Sequence, residues 1–388
     1  MKTAMRMATF LLPVFFLGLL SGRPALYAAE GAARPALDAA PASRENIASD
    51  VGAPPAREEI ERRIREAGRT KPEWWDKVAL VYPKTLDLSW SAPERGWDER
   101  KDLEPYLLGV VRRYPENWKA GIKLLYRVLE VNKANPAVSQ KAWQNLGILY
   151  AYLEDWPRAA YGFLKSSNSA LDLAHSFWAL GSRDLAEETL QFIRPRTAHD
   201  IQRAVVLWTE IERPEKGLAL AQDLIQGDDV VLGHYMTGYV HRRGGEFEKA
   251  LSCFEEALSL QEQTPAYRKN DPGALAEHRR IRDGVEAMRT LAGAGLAKLH
   301  DGTYRAAALG FDDLVEVRLT VEGGRIRSVE AAGRSESLAS HSLTVVPREI
   351  VREQGIRGVD AVTGATVTAE AVIHAAAQAI AQATRPEP

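Results

Sequence analysis

Small and hydroxylated residues are concentrated in one short stretch near the end of the chain, Asp360-Ala-Val-Thr-Gly-Ala-Thr-Val-Thr368. Gly364 has no Cβ, so the backbone can turn there and approach a ligand closely. The residues from Ala369 to Ala383 are rich in helix formers. A loop of small hydroxylated residues that leads into a helix presents free backbone N–H groups to an anion. The stretch therefore predicts a site for a phosphate-bearing cofactor.

The same residues also have a purely structural interpretation. A threonine before a helix satisfies an unpaired backbone N–H and is a common cap. Glu370, which follows the stretch, would be favoured near the helix start by the helix dipole. The choice between a cap and a cofactor site depends on the sequence that precedes the stretch.

That preceding sequence predicts a small antiparallel sheet. Thr303 to Ala308 is typical of a strand, and Val315 to Val321 alternates apolar with polar residues, which marks a half-buried strand. Gly323-Gly324 is a tight-turn signal, and Arg325 to Glu330 supplies the return strand. Val345 to Gln354 is predicted to be a short helix.

Residues 300–386 resemble the FMN-binding domain family in Asp301-Gly-Thr-Tyr-Arg305, in the predicted hairpin and in the Asp360–Thr366 element. This family includes the C subunit of the sodium-pumping NADH:quinone oxidoreductase and the G subunit of the related Rnf complex. In that family a flavin transferase attaches FMN, through a phosphoester, to the threonine that ends a Ser/Thr-Gly-Ala-Thr element. The matching residue is Thr366, and Ala361 stands where family members usually have glycine.

The resemblance implies covalent FMN on Thr366 and an electron carrier that works between redox partner proteins. Asp360 would belong to the element that the flavin transferase recognises. From their residue type, Thr363 or Thr368 could donate a hydrogen bond to the phosphate. It implies neither a catalytic residue nor a metal site. The cofactor-binding residues are predicted to be Thr366, Asp360, Thr363, Gly364, Ala365 and Thr368.

Residues 101–299 are predicted to form helices in pairs. The clearest unit runs from Trp143 to Phe163 and matches the tetratricopeptide signature Trp-x2-Leu-Gly-x2-Tyr…Ala-x3-Phe. A second unit places Gly238, Ala250 and Phe254 at the same offsets. Small residues recur at spacings of 27, 31 and 33, at Ala159, Ala186, Gly217 and Ala250. Such repeats stack into a solenoid and usually bind a protein partner, although a spacer role stays open.

Together these features predict a mainly α protein, with a tetratricopeptide-like α-solenoid followed by a small α+β FMN-binding domain that has an antiparallel sheet. The aromatic residues between 74 and 97 either cap the helical stack or form a ligand-binding surface. The predicted segments are a signal peptide or anchor at 1–29, a flexible linker at 30–57, a charged helix and an irregular aromatic part at 58–100, the repeats at 101–299 and the FMN-binding domain at 300–388.

The N-terminus has the composition of a secretory signal peptide. Met1 to Arg6 is basic, Met7 to Leu20 is uncharged and mostly apolar, and Ala28-Ala29 follows. Cleavage after either alanine would place Leu26 or Tyr27 at the third position back, so an uncleaved membrane anchor stays open. Either outcome predicts a periplasmic or otherwise extracytoplasmic protein.

Composition excludes several classes of site. The net charge of -2 gives no reason to expect nucleic acid as a partner. The single cysteine, Cys253, excludes an internal disulfide, a c-type haem site and a cysteine-ligated iron–sulfur cluster. His234 and His241 could share a helix face but have too few companions for a metal site. Arg242-Arg243 is predicted to be a solvated surface.

Two other functions stay open. The repeats could form a scaffold, with a vestigial or weak non-covalent FMN site. Alternatively, the protein could be a flavin-dependent reductase of a small molecule, for which His341, Arg334 and Arg348 are the candidate catalytic residues. No catalytic triad spacing, Rossmann fingerprint or P-loop is present in the sequence. The sequence favours an electron-transfer flavoprotein over a stand-alone enzyme.

Overall fold

Antiparallel helices stacked side by side form most of the described chain. The computed structural model describes residues 55–92, 96–167, 169–193, 195, 197–227, 229–294, 298–311, 313–333, 342–357, 359 and 366–384. The described residues belong to one compact unit. The predicted signal peptide and nearly all of the predicted linker lie outside them.

The first helix, α1, spans Arg57–Ala67 and matches the predicted charged helix. Ile60 and Ile64 are its buried residues, and its remaining surface is charged. A 3-10 turn at Trp75–Lys77 follows within the aromatic segment. The Trp75 ring meets the Tyr126 ring edge-on at a centroid distance of 5.2 Å. Trp74, Trp75, Tyr82 and Trp90 pack on the core of the helical stack, whereas Trp97 is 60% exposed.

The remaining helices of the stack continue in chain order. They are α2 Leu103–Tyr106, which runs into a π-helical turn at Leu107–Arg112, a 3-10 turn at Pro115–Asn117, α3 Trp118–Val131, α4 Pro136–Tyr152, α5 Trp156–Lys165, α6 Ala170–Ala179, α7 Arg183–Gln191, α8 Ala198–Glu210, α9 Pro214–Gln226, α10 Val230–Arg243, α11 Phe247–Gln263, α12 Pro265–Arg268 and α13 Pro272–Ala294.

Four helical pairs, α4–α5, α6–α7, α8–α9 and α10–α11, share one turn geometry. The middle residue of each three-residue turn has a positive φ, and the next residue donates its N–H to the carbonyl five positions earlier. This backbone pattern ends a helix with its last carbonyls satisfied. The middle residues are Glu154, Gly181, Glu212 and Gly245. The common turn explains why the four pairs stack as repeats.

The recurring small residues lie at one structural position. Each is the fourth residue of the second helix of its pair, in α5, α7, α9 and α11. In two pairs a glycine of the first helix also contacts a phenylalanine ring. A Cβ on Gly147 would lie 2.5 Å from the Phe163 ring, and one on Gly238 would lie 2.5 Å from the Phe254 ring. The predicted packing of small against large residues is therefore confirmed.

The C-terminal part contains a three-stranded antiparallel sheet in the order β1-β2-β3. Its strands are β1 Gly302–Leu309, β2 Leu314–Glu322 and β3 Arg325–Gly333, and two helices follow, α14 Ser342–Glu353 and α15 Thr366–Ala383. Gly323 and Gly324 form the β2–β3 turn, both with positive φ. The Asp301 carboxylate accepts hydrogen bonds from both of their N–H groups at 2.9 Å, and these bonds lower the pKa of Asp301. The predicted strands and turn are confirmed.

One hydrophobic core joins the last helices of the stack to the sheet and to α15. It contains Tyr239 and Phe254 from the α10–α11 pair together with Leu319 of β2 and Val372 of α15. Helix α13 packs on α11 on one side and on α15 on the other. The C-terminal part is thus built against the repeats and shares their interior.

Polar contacts reinforce this junction. Arg280 of α13 donates to the carbonyl oxygens of Gly310 and Phe311 at 2.9 and 2.8 Å. The buried carboxylate of Asp283 accepts from the Leu309 N–H at 2.7 Å. Both contacts hold the β1–β2 connection against α13.

Candidate functional site

Helix α15 is the central element of the C-terminal part. Its sequence is largely alanine, with Val372, Ile373 and Ile380, and almost all of its residues are buried. A helix that is apolar on every side is stable only when neighbours cover it all round. Small side chains let β1, β2, α13 and α14 approach it closely. The first residues of α15 are where this buried helix reaches the surface.

Thr366 is the first residue of α15, three residues before the predicted start of the helix. It is partly exposed, whereas Thr368 is only 2% exposed. The backbone N–H groups of the first helical turn have no partner within the helix. The partly exposed Thr366 therefore lies at the positive end of the dipole of an 18-residue helix. The predicted site residues Asp360, Thr363, Gly364 and Ala365 lie outside the described residues.

Glu370 does not serve the helix dipole at the surface, as the sequence suggested. It is the fifth residue of α15, and its side chain is 4% exposed. The Arg242 Nη2 atom of α10 donates to Glu370 Oε1 at 2.6 Å, and the Arg242 Nη1 atom donates to the Val359 carbonyl at 3.2 Å. Glu370 is thus one partner of a buried ion pair that joins the repeats to α15.

His374 lies one turn further along the same face of α15. Its Nε2 atom is 3.3 Å from Glu370 Oε2, and its ring meets the Phe254 ring edge-on. Burial acts to raise the pKa of Glu370, but the Arg242 charge and the contacts with His374 and Arg242 outweigh it. The pKa of Glu370 is therefore below its ordinary value, and the carboxylate is ionised at neutral pH.

Arg242 was predicted to be solvated, and this prediction is wrong. Its side chain is fully buried, and its guanidinium lies 5.2 Å from the Tyr239 ring centroid. The burial of Arg242 could have been suspected by aligning the four helical pairs on the positive-φ residue of their turns. In this alignment Arg242 lies three residues before that turn residue. The corresponding positions in the other three pairs are Ala151, Trp178 and Thr209. An arginine at this position sets the last pair apart from the others.

The candidate residues for a reductase do not form a described catalytic group. His341 and Arg334 lie outside the described residues. The Arg348 side chain is 53% exposed, and its Nη2 atom is 3.9 Å from Glu154 Oε1. His241 contacts Glu246 at 2.6 Å. Within the described ranges, no group of three or more His, Cys, Asp or Glu residues is arranged to hold a metal ion.

The described residues at the start of α15 fit a phosphate-bearing cofactor. Thr366 is a partly exposed residue that carries a hydroxyl, and a helix start is a common site for a phosphate. Glu370 lies one turn away, but Arg242 compensates its negative charge. Among the described residues, the carboxylate that follows Thr366 on α15 is therefore already paired with a positive charge.

Among residues whose placement is described, no helix has the length and apolar character needed to cross a membrane.

Comparison with known proteins agrees with this arrangement. Residues 310–381 match the FMN-binding domain, and residues 231–264, which include α10 and α11 apart from the first residue of α10, match the tetratricopeptide repeat. An uncharacterized protein of Treponema pallidum (strain Nichols) is 36% identical over 88 residues, which cover 22% of this chain. The match spans only 24% of that protein's length. The chain therefore carries an FMN-binding domain preceded by tetratricopeptide-like helical repeats.

Proposed function

We propose that this chain is an extracytoplasmic electron carrier whose FMN is attached covalently to Thr366 through a phosphoester. The observation that carries the proposal is the position of Thr366 within the FMN-binding domain. Thr366 is partly exposed at the start of a helix that is otherwise almost entirely buried. Thr368, which is 2% exposed, offers much poorer access to a modifying enzyme.

Attachment requires an activated FMN donor, for which we propose a flavin dinucleotide. The Thr366 oxygen attacks the FMN phosphorus, and a new P–O bond forms while the bond to the second phosphate breaks. The leaving group is a nucleoside monophosphate, and the hydroxyl proton passes to a base of the flavin transferase. No electrons are transferred in this step, so the flavin keeps its oxidation state.

The chain supplies binding and orientation, whereas a bound flavin supplies one- or two-electron chemistry. Backbone N–H groups at the start of α15 would bind the phosphate oxygens, as helix starts commonly do. Arg242 keeps Glu370 neutralised, so the negative phosphate is tolerated one turn away. A covalent bond is useful outside the cytoplasm, because a dissociated flavin would be lost.

The N-terminal composition supports the extracytoplasmic location. A basic start followed by the apolar run from Met7 to Leu20 suits either a cleaved signal peptide or a retained anchor. An electron carrier also needs a donor and an acceptor, and the repeats provide a surface for such protein partners. Leu164 and Phe192 of the repeat region are 54% and 80% exposed and are candidate contacts for a partner.

The test is the mass of the denatured protein after expression with a flavin transferase. Wild-type chain should gain one FMN less one water, located on the peptide that contains Thr366. Thr366→Val should abolish the gain, since the isosteric side chain lacks the hydroxyl, and Thr366→Ser should retain it.

Thr384→Val is a matched control at the other end of α15. The Thr384 hydroxyl donates to the Ala381 carbonyl at 2.9 Å, so its removal should leave the flavin attached. A T366V protein that keeps a covalent flavin would contradict the assignment. Reversible reduction of the attached flavin without turnover of a small-molecule substrate would support a carrier, and fractionation of native cells would test its location.

A further inference from the structure

One side chain of the repeats binds the chain on both sides of residues 360–365, which precede Thr366. Val359 lies just before residues 360–365, and Glu370 lies four residues after Thr366. The Arg242 guanidinium donates to the Val359 carbonyl at 3.2 Å and to the Glu370 carboxylate at 2.6 Å. A single planar group therefore connects Val359 to helix α15.

This connection is rigid because arginine donates in a fixed fork. A lysine at the same place would supply one flexible charge and could not match both acceptors with the same geometry. Burial strengthens the constraint, since Arg242 is fully buried and Glu370 is 4% exposed. A buried charge that lost its partner would be strongly unfavourable.

The contact between Arg242 and Glu370 also limits the rotation of α15 about its own axis. Thr366, Glu370 and His374 are spaced four residues apart and so share one face of the helix. Glu370 is held by Arg242 on one oxygen and lies 3.3 Å from His374 on the other. Fixing Glu370 therefore fixes the direction in which Thr366 leaves the helix.

Charge adds a second effect. A phosphoester on Thr366 is negative, and like charges four residues apart on a helix repel each other. Arg242 compensates Glu370 and removes most of this repulsion. The same residue therefore both holds the acceptor threonine and favours the charged product.

The repeat itself does not require an arginine at this position. The equivalent residues of the other pairs are Ala151, Trp178 and Thr209, and those pairs form the same turn without it. The arginine occurs in the pair that packs against the FMN-binding domain.

We propose that Arg242, a residue of the tetratricopeptide-like repeat, is a positioning residue for flavin attachment at Thr366. This proposal rests on the proposed covalent attachment. It makes the last helical pair part of the flavin site, so that the acceptor threonine is correctly presented only when the repeat and the FMN-binding domain are assembled.

The test measures the initial rate of flavin attachment to full-length apoprotein, with purified flavin transferase and flavin dinucleotide. The variants are Arg242→Met, Arg242→Lys, the double variant R242M/E370M and the control Arg280→Met. Arg280 also joins α13 to the FMN-binding domain, but it contacts the β1–β2 connection. Thermal unfolding of each apoprotein is recorded in parallel, and rates are compared at a temperature where all of them are folded.

We expect R242M to slow attachment roughly 10- to 100-fold, the usual effect of misplacing a reacting group by about 1 Å. R242K should fall between R242M and wild type, and R280M should react at nearly the wild-type rate. In R242M/E370M the buried charges are replaced by apolar groups, so thermal stability should recover. The attachment rate should stay low, because Arg242 then holds neither Val359 nor Glu370.

Several outcomes would overturn the proposal. A wild-type rate of flavin attachment in R242M would show that Arg242 does not position Thr366. An equally reduced rate in R280M would show that the effect is not specific to Arg242. If R242M/E370M recovered both its thermal stability and its rate of flavin attachment, Arg242 would only stabilise the fold. If R242M does not fold, the attachment rate of folded R242K tests the proposal instead. A wild-type rate in R242K would contradict a positioning role for Arg242, and a slower rate would support it. A wild-type chain that accepts no flavin would instead overturn the proposed function itself.

Discussion

The α4–α5 and α10–α11 pairs are built from the same contacts but have different neighbours. Each pairs a glycine with a phenylalanine ring and ends its first helix in the same positive-φ turn. Three residues before that turn residue, α4 has Ala151 and α10 has Arg242. The first pair packs mainly on neighbouring helices of the stack and reaches the FMN-binding domain at Glu154, whose Oε1 atom is 3.9 Å from Arg348 Nη2. The second pair shares a hydrophobic core with the FMN-binding domain.

This difference separates what forms a repeat from what joins it to another domain. Small residues and turn geometry set the helical pair, and they are common to both units. A single substituted position then provides a buried, charged contact with a different part of the chain. Repeats of this kind can thus acquire a docking function without any change in their own packing.

Arg242→Met should have the largest effect on stability. It would leave Glu370 buried without its partner, at a cost of about 3–5 kcal/mol in the free energy of unfolding. Ala151→Met at the equivalent position should cost less than about 1 kcal/mol, since no buried charge loses a partner there. Urea denaturation measures both values. Equal losses would show that the two positions are not functionally different.

Gly147→Ala and Gly238→Ala should each destabilise the protein, by about 1–3 kcal/mol. In a free helix this change is favourable by roughly 0.5–1 kcal/mol. Here the new methyl group would lie 2.5 Å from a buried phenylalanine ring. Similar losses in urea denaturation would confirm that the two pairs share one packing scheme.

The matched control replaces the phenylalanine beside each new alanine by the smaller leucine, which should restore part of the lost stability. Phe163→Leu combined with G147A, and Phe254→Leu combined with G238A, should each lose less than the two single changes added together. A stabilising effect of either alanine would contradict the proposed glycine–phenylalanine contact.

The smallest expected effect is a difference in pH dependence. The pKa of Glu370 is lowered in the folded protein, so its contribution is fully present above the unfolded value of about 4.3. That contribution is lost as the pH falls through the lowered folded value. The free energy of unfolding of wild-type chain should fall more steeply between about pH 5 and pH 3 than that of R242M/E370M. Parallel profiles would show that Glu370 is not preferentially ionised in the folded state.

Much of the fold follows from local sequence patterns. The strands from Thr303 onwards, the Gly323-Gly324 turn and the two clearest helical pairs were all predicted, because alternation, turn residues and repeat spacing act over short distances. The start of α15 was predicted three residues too late. Threonines at its start suit either a loop or a first helical turn, and packing decides between them.

The candidate site was predicted only in its local part. The roles of Asp360, Thr363, Gly364 and Ala365 stay predictions, as does flavin attachment at Thr366. Arg242 was missed because its partners are 117 and 128 residues away in the sequence. An Arg-Arg pair at a helix end is usually solvated, and nothing local marks one of the two as buried.

The amino-acid sequence by itself determined the repeats and the small antiparallel sheet, because these depend on periodicity and on residue type. The tertiary structure alone decided that the repeats and the FMN-binding domain share one core and that a repeat arginine binds both Val359 and Glu370. Burial and ion pairing depend on which distant residues meet. The local propensities of the sequence do not specify these long-range contacts.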